Sequence, residues 1–496
     1  MRPSPFPLVY EVNTRCWMRR LSQQSDGPVT LASVPDEVVG QWADLGFTHI
    51  WLMGVWSSGP RGRQHALQSP HLREQLSRSC PDWRPADVTG SPYAPSGYRV
   101  PSALGGDSGL VQFRRQLQTH GLALLLDFIP NHVGLDHSWL KQHPEYFVHS
   151  LQPQPDTFEV STPQGPLWIA HGKDPNFPAW TDTAQLDFRR LETQRAVARA
   201  LESIAKRCDG VRCDMAMLLL QQVFASHWQA FPTSQPPAQG EFWYNLIQQT
   251  RRHHPDFLFL AEAYWGLEER LLKLGFDFSY DKKLYDYLAA SQASRVRAHL
   301  SGVSPAFLAG TAHFLENHDE PRIASLLGLP EHRAAALTIL GLPGLRLLHN
   351  GQLTGARLHQ PVQACCPSPE PPDPEIASLY TGLLRALKRT AVGRGSPHLL
   401  VTHPAWPANP SHENLLVVQW QSQKEDFDLV VVNLAPHPAQ AYLILTVPDL
   451  AERNWRMTDL LGAEEYQRYG DDLAQQGLYL DVAPYAAQLF HFSPLS

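Results

Sequence analysis

Residues 208–216 read CDGVRCDMA. The run is short, it carries apolar side chains at Val211 and Cys213, and its strand-like part, 210–214, ends on an acid. Side chains alternate across a strand, so Gly210, Arg212 and Asp214 share one face and Val211 and Cys213 the other. Arg212 therefore lies beside Asp214, where its charge favours an ionised, oriented carboxylate. Two further apolar runs lead into acids in the same way: FLFLAEAYW carries Glu262, and FLENHDEP carries Asp319. Acids at the ends of different strands are how a β/α barrel builds a catalytic centre.

Working outward, eight apolar runs alternate with helix-period segments as far as about residue 390. They are 8–13, 48–55, 122–129, 210–214, 257–263, 276–280, 312–317 and 344–349. Between them, 34–46, 108–121 and 191–207 repeat apolar residues with helical spacing. Strand–helix alternation predicts a parallel sheet, and eight units predict a closed (β/α)8 TIM barrel. Two gaps, 56–107 and 134–185, are too long for plain loops. The second, with aromatic and Pro clusters, is expected to be a small inserted subdomain over the barrel mouth. Segments 232–240 and 365–375 are Pro-rich loops. From about 396 the pattern becomes strand, turn, strand without strong helices, which predicts an antiparallel β-sandwich. The expected division is a barrel over 1–133 and 186–392, an insert over 134–185 and a C-terminal β domain over 393–496.

The 496 residues are enough to bury a large core and form more than one domain. Hydrophobic residues make up 43% and charged residues 18%, the balance of a soluble globular protein. The net charge of −7 argues against a nucleic-acid partner, which calls for a basic stripe. No stretch approaches a membrane span, and the N-terminal residues lack an apolar signal core, so a cytoplasmic location is expected. Six scattered cysteines (16, 80, 208, 213, 365 and 366) have no metal-ligand spacing and are expected to be reduced.

The two central runs also carry a distance. Neighbouring strands lie about 4.8 Å apart, so Asp214 and Glu262 at adjacent strand ends would be about 5 Å apart. That is the separation of a retaining glycosidase; an inverting enzyme leaves room for a water. Leu260, Tyr264 and Trp265 supply a setting that raises the pKa of Glu262, as a general acid requires.

DFIPNH (127–132), GVRCDMA (210–216), FLAEA (259–263) and FLENHDE (314–320) resemble the four short conserved regions of the α-amylase superfamily, glycoside hydrolase family 13. They fall in the family's order, on the third, fourth, fifth and seventh strands. The resemblance implies that Asp214 is the nucleophile, Glu262 the acid/base, and Asp319 the residue that binds sugar hydroxyls and stabilises the transition state. It implies that Arg212 holds Asp214, that His132 and His318 bind the sugar at the cleavage site, and that Tyr93 is the platform beneath it. Trp265 joins these as a substrate-binding residue, and Asp127 and Asn131 support the site.

Some positions depart from the family pattern. Met217 and Leu218 stand where α-amylases carry Lys-His on the acceptor side. Asn131 is in place for the family's calcium site, but Gln185 replaces a usual Asp ligand, so no cofactor is expected. Gly97 and His349 replace a usual Asp and Tyr. The expected activity is hydrolysis of α-1,4-linked glucans or maltooligosaccharides, a carbohydrate partner without nucleic acid or membrane. The alternative is a transglycosidase or isomerase acting on maltose, sucrose or trehalose with the same acids. A non-catalytic scaffold would have lost the acids. A metal or phosphate-loop barrel enzyme finds no HExxH and no Gly-rich phosphate loop. Trp406, Trp420 and Trp455 are available for sugar contacts in the β domain.

Overall fold

The computed structural model describes residues 5–231, 233, 240–422 and 425–495. The Pro-rich segment 232–240 falls almost wholly outside them. Eight parallel strands close a barrel: β1 (Leu8–Asn13), β2 (His49–Met53), β3 (Ala123–Phe128), β4 (Gly210–Cys213), β5 (Leu258–Ala261), β6 (Phe278–Tyr280), β7 (Thr311–His313) and β8 (Leu345–His349). Each follows its neighbour in chain order, and β8 pairs with β1. All eight apolar runs of the sequence supply a strand. The helix-period segments become α1 (Asp36–Asp44), α2 (Gly106–Thr119) and α3 (Leu191–Ala205).

Strand alternation divides the apolar residues into two layers. Val9, Trp51, Leu125, Leu260, Phe278, Ala312 and Leu345 pack inside the barrel. Val12, Leu52, Leu126, Val211 and Phe259 face the surrounding helices. The insert carries a three-stranded antiparallel sheet of His149–Ser150, Gly165–Ala170 and Thr157–Thr162. A short pair, His132–Gly134 with Thr183–Gln185, ties its two ends to the barrel.

The other long gap, after β2, is held from a distance. Thr89 N donates to Gln363 O at 2.8 Å and Cys365 N to Asp87 O at 2.9 Å. Ala66, Leu72, Leu76, Val88 and Ala364 form a small core between the segments. Here the structure corrects one expectation: Cys80 and Cys366 are joined as a disulfide with Cα atoms 6.2 Å apart, across 286 residues of sequence. No spacing rule reaches that far; only the folding of the loop after β8 onto this segment brings the two together. Cys16, Cys208, Cys213 and Cys365 are free thiols.

Residues from 396 onward form a six-stranded and a three-stranded antiparallel sheet. Strand Leu415–Gln421 shows how the domain is fixed. Leu416, Val418 and Trp420 face the barrel core, whereas Leu415 and Val417 face the domain's own core. Trp420 Nε1 donates to Gly341 O at 2.8 Å, at the end of helix α4 (Leu329–Gly341). A Cβ on Gly341 would come within 2.5 Å of Val430, so only glycine permits this approach. Trp420 and Trp455 are buried and Trp406 is exposed, which leaves only Trp406 of the three open to a ligand. No helix among the described residues is long and apolar enough to cross a membrane.

Candidate active site

The backbone sets the site before any side chain does. β4 and β5 pair in register, Arg212 opposite Leu260 and Cys213 opposite Ala261. Asp214 and Glu262 therefore leave their strands side by side at the C-terminal end. Asp214 N donates to Phe128 O at 2.9 Å and Glu262 N to Cys213 O at 3.1 Å. Met215 then takes a left-handed conformation (φ 45°). Such a non-glycine residue costs about 1–3 kcal/mol and persists where its surroundings impose it. The turn aims Met215 N at Glu262 Oε2, 2.6 Å away.

Arg212 is the hub. It is 1% exposed. Its Nη1 lies 2.7 Å from Asp214 Oδ1 and its Nη2 2.8 Å from Glu262 Oε2. Asp127 Oδ1 is 3.8 Å from Nη1 and Asp319 Oδ2 is 3.9 Å from Nη2. One guanidinium thus faces four carboxylates, with the rings of Tyr93, Trp51 and Tyr280 within 5.3–5.9 Å of its carbon. Asp214, Glu262 and Asp127 are buried, while the Asp319 side chain is half exposed and reaches the mouth.

Asp127 is held rather than free. It accepts from Gly54 N at 2.9 Å, from Trp51 Nε1 at 3.2 Å and from Tyr93 OH at 3.4 Å. Gly54 has φ +74°, a conformation open to glycine at little cost, and this points its N–H at the carboxylate. His318 lies on the far side of Tyr93, the two rings stacked 4.9 Å apart. Its Nε2 is 3.2 Å from Asp319 and its Nδ1 is 2.6 Å from Glu11 Oε1.

Burial pushes the Asp214 and Glu262 carboxyls upward, against the pull of Arg212. Burial also pushes Asp127 to about 6. Burial disfavours the His318 cation too, but Asp319 and Glu11 on either side overcome it and hold the imidazolium to about 9. The centre thus combines carboxyls able to hold protons near neutrality with a fixed cation beside Asp319.

Asp127, Arg212, Asp214, Glu262, Asp319, His318 and Tyr93 form one contiguous cluster. His132 and Asn131 adjoin it through the main chain: His132 Nε2 donates to Tyr93 O at 2.8 Å. His132 Nδ1 lies 3.2 Å from Asn131, so both ring nitrogens are already engaged. Trp265, 44% exposed and at φ +67°, stands at the rim next to Tyr264 and three residues past Glu262, not in the cluster. Met217 and Leu218 are buried. His349 accepts from Arg322 Nη1 at 2.8 Å and lies 3.5 Å from the buried Glu316.

The residues at the family's calcium position engage one another. Asn131 and Gln185 bond to one another: Gln185 Nε2 donates to Asn131 Oδ1 at 3.0 Å and Asn131 Nδ2 to Gln185 Oε1 at 3.2 Å. Two amides that satisfy each other, without the carboxylates a hard cation favours, do not fit calcium.

Several residues were missed at the level of sequence. Glu11 is fully buried on β1, and only its isolation as an acid in the apolar run LVYEVN marks it. His359, from the loop after β8, donates to His318 O at 2.8 Å. The Glu11 and His359 contacts depend on chain crossings that no local pattern encodes. Tyr264, read from the sequence only as an apolar neighbour of Glu262, donates its OH to Glu262 Oε1 at 2.8 Å.

The family model for the α-amylase catalytic domain matches residues 42–364. This chain belongs to the α-amylase family. Its members named among the matches include the α-amylase MalA of Haloarcula japonica, 26% identical over 53% of this chain and 37% of that protein. An α-1,4-glucan:maltose-1-phosphate maltosyltransferase of Cereibacter sphaeroides is 25% identical over 81% of this chain and 57% of that protein. The chain thus spans about a third to somewhat over half the length of these relatives. The α-amylase of Lactobacillus plantarum has the same fold, with a TM-score of 0.70 and 19% identity, covering 99% of this chain and 100% of that one. The acarbose complex of the Geobacillus thermoleovorans α-amylase gives 0.68 at 17% identity, covering all of both chains. Residues 42–364 thus form a catalytic domain of the glycoside hydrolase type.

Proposed function

We infer that this enzyme is a retaining glycosidase of α-1,4-linked glucans or maltooligosaccharides. The observation that carries this is the bridging of Asp214 and Glu262 by the single guanidinium of Arg212. Two carboxylates drawn that close leave no room between them for an attacking water, the arrangement of a double displacement.

Asp214, as carboxylate, attacks the anomeric carbon. The bond to the leaving sugar breaks as the Glu262 carboxylic acid protonates the departing oxygen. A β-glycosyl ester on Asp214 results. Glu262, now a carboxylate, takes a proton from water; the resulting oxygen attacks the anomeric carbon and frees Asp214. Arg212 keeps Asp214 ionised and oriented, and Tyr264 OH steadies the Glu262 carboxylate left by the first step. Asp319, with His318 beside it, accepts hydrogen bonds from ring hydroxyls. Tyr93 offers its ring as the platform, and Trp265 offers an aromatic face at the rim. His132 and Asn131 act by supporting the Tyr93 main chain. The division into barrel, 134–185 insert and 393–496 β domain leaves the acids on the barrel alone.

A second reading is favoured by a specific pair of residues. Met217 and Leu218 are buried where α-amylases carry the Lys-His of the acceptor side, and maltosyltransferases are among the relatives. A sugar hydroxyl in place of water would then intercept the ester. Incubation with maltooligosaccharides, maltose, sucrose and trehalose, with products resolved over time, tests both. Shorter maltooligosaccharides alone support hydrolysis. Longer chains or rearranged disaccharides support transfer. No Asp214-dependent turnover of any of these sugars overturns the substrate assignment.

A further inference from the structure

A cavity of about 1070 Å³ opens at the other end of the barrel. Its wall is made from the residues that begin strands: Leu8, His49, Ala123, Asp209, Phe257 and Arg346. The catalytic acids leave the opposite ends. Arg346 is 5% exposed on β8. Its Nη2 donates to Phe6 O at 2.9 Å, while its Nε is buried without a hydrogen-bond partner. Arg394 and Lys388 line the same cavity and donate to main-chain oxygens, Lys388 to Asp44 O at 2.6 Å and Arg394 to Lys388 O at 2.9 Å. Among the described residues none of the three has a carboxylate within 4.0 Å, whereas Arg114 on the same wall is paired with Asp209 at 2.6 Å. Carbonyl dipoles solvate a guanidinium but do not neutralise it, and a buried charge is stable chiefly when paired. Burial and the neighbouring Arg394 both act against the Arg346 charge and lower its pKa to about 10. In a chain of net charge −7, this is a local excess of positive charge.

We propose that this cavity binds a small phosphate-bearing molecule, with Arg346 as the anchor of the phosphate and Arg394 and Lys388 as its outer contacts. The cavity far exceeds a bare phosphate ion. Leu45, Leu122, Leu384, Leu387 and Phe257 give it an apolar wall for an organic portion. Phosphate oxyanions accept from arginine in paired, charge-assisted bonds, which would engage the idle Nε.

The test is calorimetric titration of the full chain with inorganic phosphate and with phenyl phosphate, at ionic strength matched with chloride. Saturable binding is expected, at least tenfold tighter for phenyl phosphate. It is expected to survive in Asp214→Asn, which places it outside the catalytic centre. Arg346→Met should abolish it and Arg394→Gln, at an exposed position, should weaken it about tenfold or more. Binding of inorganic phosphate with no gain for phenyl phosphate would support the anion site and make free phosphate its ligand. Absence of saturable binding to either probe, or equal binding in both arginine variants, overturns the proposal.

Discussion

The two ends of the barrel each bury an arginine, and they treat it in opposite ways. At the C-terminal end Arg212 faces Asp127, Asp214, Glu262 and Asp319. At the N-terminal end Arg346 donates to the Phe6 carbonyl with a second arginine nearby, and among the described residues no carboxylate lies within 4.0 Å of it. The strands that carry both belong to one closed sheet with one apolar interior. The difference shows that the fold supplies the frame, whereas chemistry is decided by which charges are placed at the strand ends.

Removing charge from the catalytic end should have the largest effect. Glu262→Gln is expected to lower kcat by about 10²–10⁴-fold, the usual worth of a general acid–base, and Asp214→Asn by at least as much. Melting temperatures should stay near that of the parent, so a loss of activity cannot be charged to unfolding. Activity retained in either variant would break the comparison at its functional end.

The two arginines can be set against each other by urea denaturation. Arg212→Met strands four carboxylates and should cost about 3–5 kcal/mol, together with activity. Arg346→Met removes a charge that has no carboxylate partner, so stability should be unchanged or higher, with activity intact. Equal losses would show that the two sites do not differ as described.

Glu11 sharpens the comparison within the catalytic end. Glu11→Gln keeps the shape of the contact to His318 but removes its charge. The His318 imidazole, followed by NMR, should then titrate well below the value of about 9 that Asp319 and Glu11 now sustain. Because the folded value lies above the ~6.5 of an unperturbed histidine, the stabilisation is full below that pH and is lost as pH rises through about 9. The stability gap between parent and variant should therefore be widest near pH 6 and close at alkaline pH. An unchanged His318 titration contradicts the Glu11 contact.

The smallest effect is on the pH profile. Activity needs Asp214 ionised and Glu262 protonated, and burial raises both carboxyls. Both limbs of the bell should lie above the ~4 of ordinary carboxylates, with the optimum moved toward neutrality. An optimum near pH 4 would show that the acids are better solvated than their burial indicates.

Much of the catalytic end was legible in the sequence because strand alternation is a period-two rule. It placed Arg212 beside Asp214 and Glu262 on the neighbouring strand, and all eight barrel runs could be found from apolar content alone. What stayed hidden depends on contacts between distant segments. Glu11 meets His318 across 307 residues, and Cys80 meets Cys366 across 286. His132 and Trp265 illustrate the remaining gap: their motifs placed them near the acids, but only coordinates show one with both nitrogens engaged and the other exposed at the rim. The basic cavity at the strand starts follows no motif, since its three cations without a carboxylate partner come from β8 and from residues near 390 that only the closed barrel brings together.

The most direct test of the central claim is the anomeric form of the first product. Maltoheptaose turned over by the enzyme would be followed by proton NMR in the first minutes, before mutarotation. The Asp214–Arg212–Glu262 geometry predicts α-anomeric maltooligosaccharides, formed with net retention and absent with Asp214→Asn. A β-anomeric first product would mean single displacement by water and would contradict the assignment of Asp214 as nucleophile.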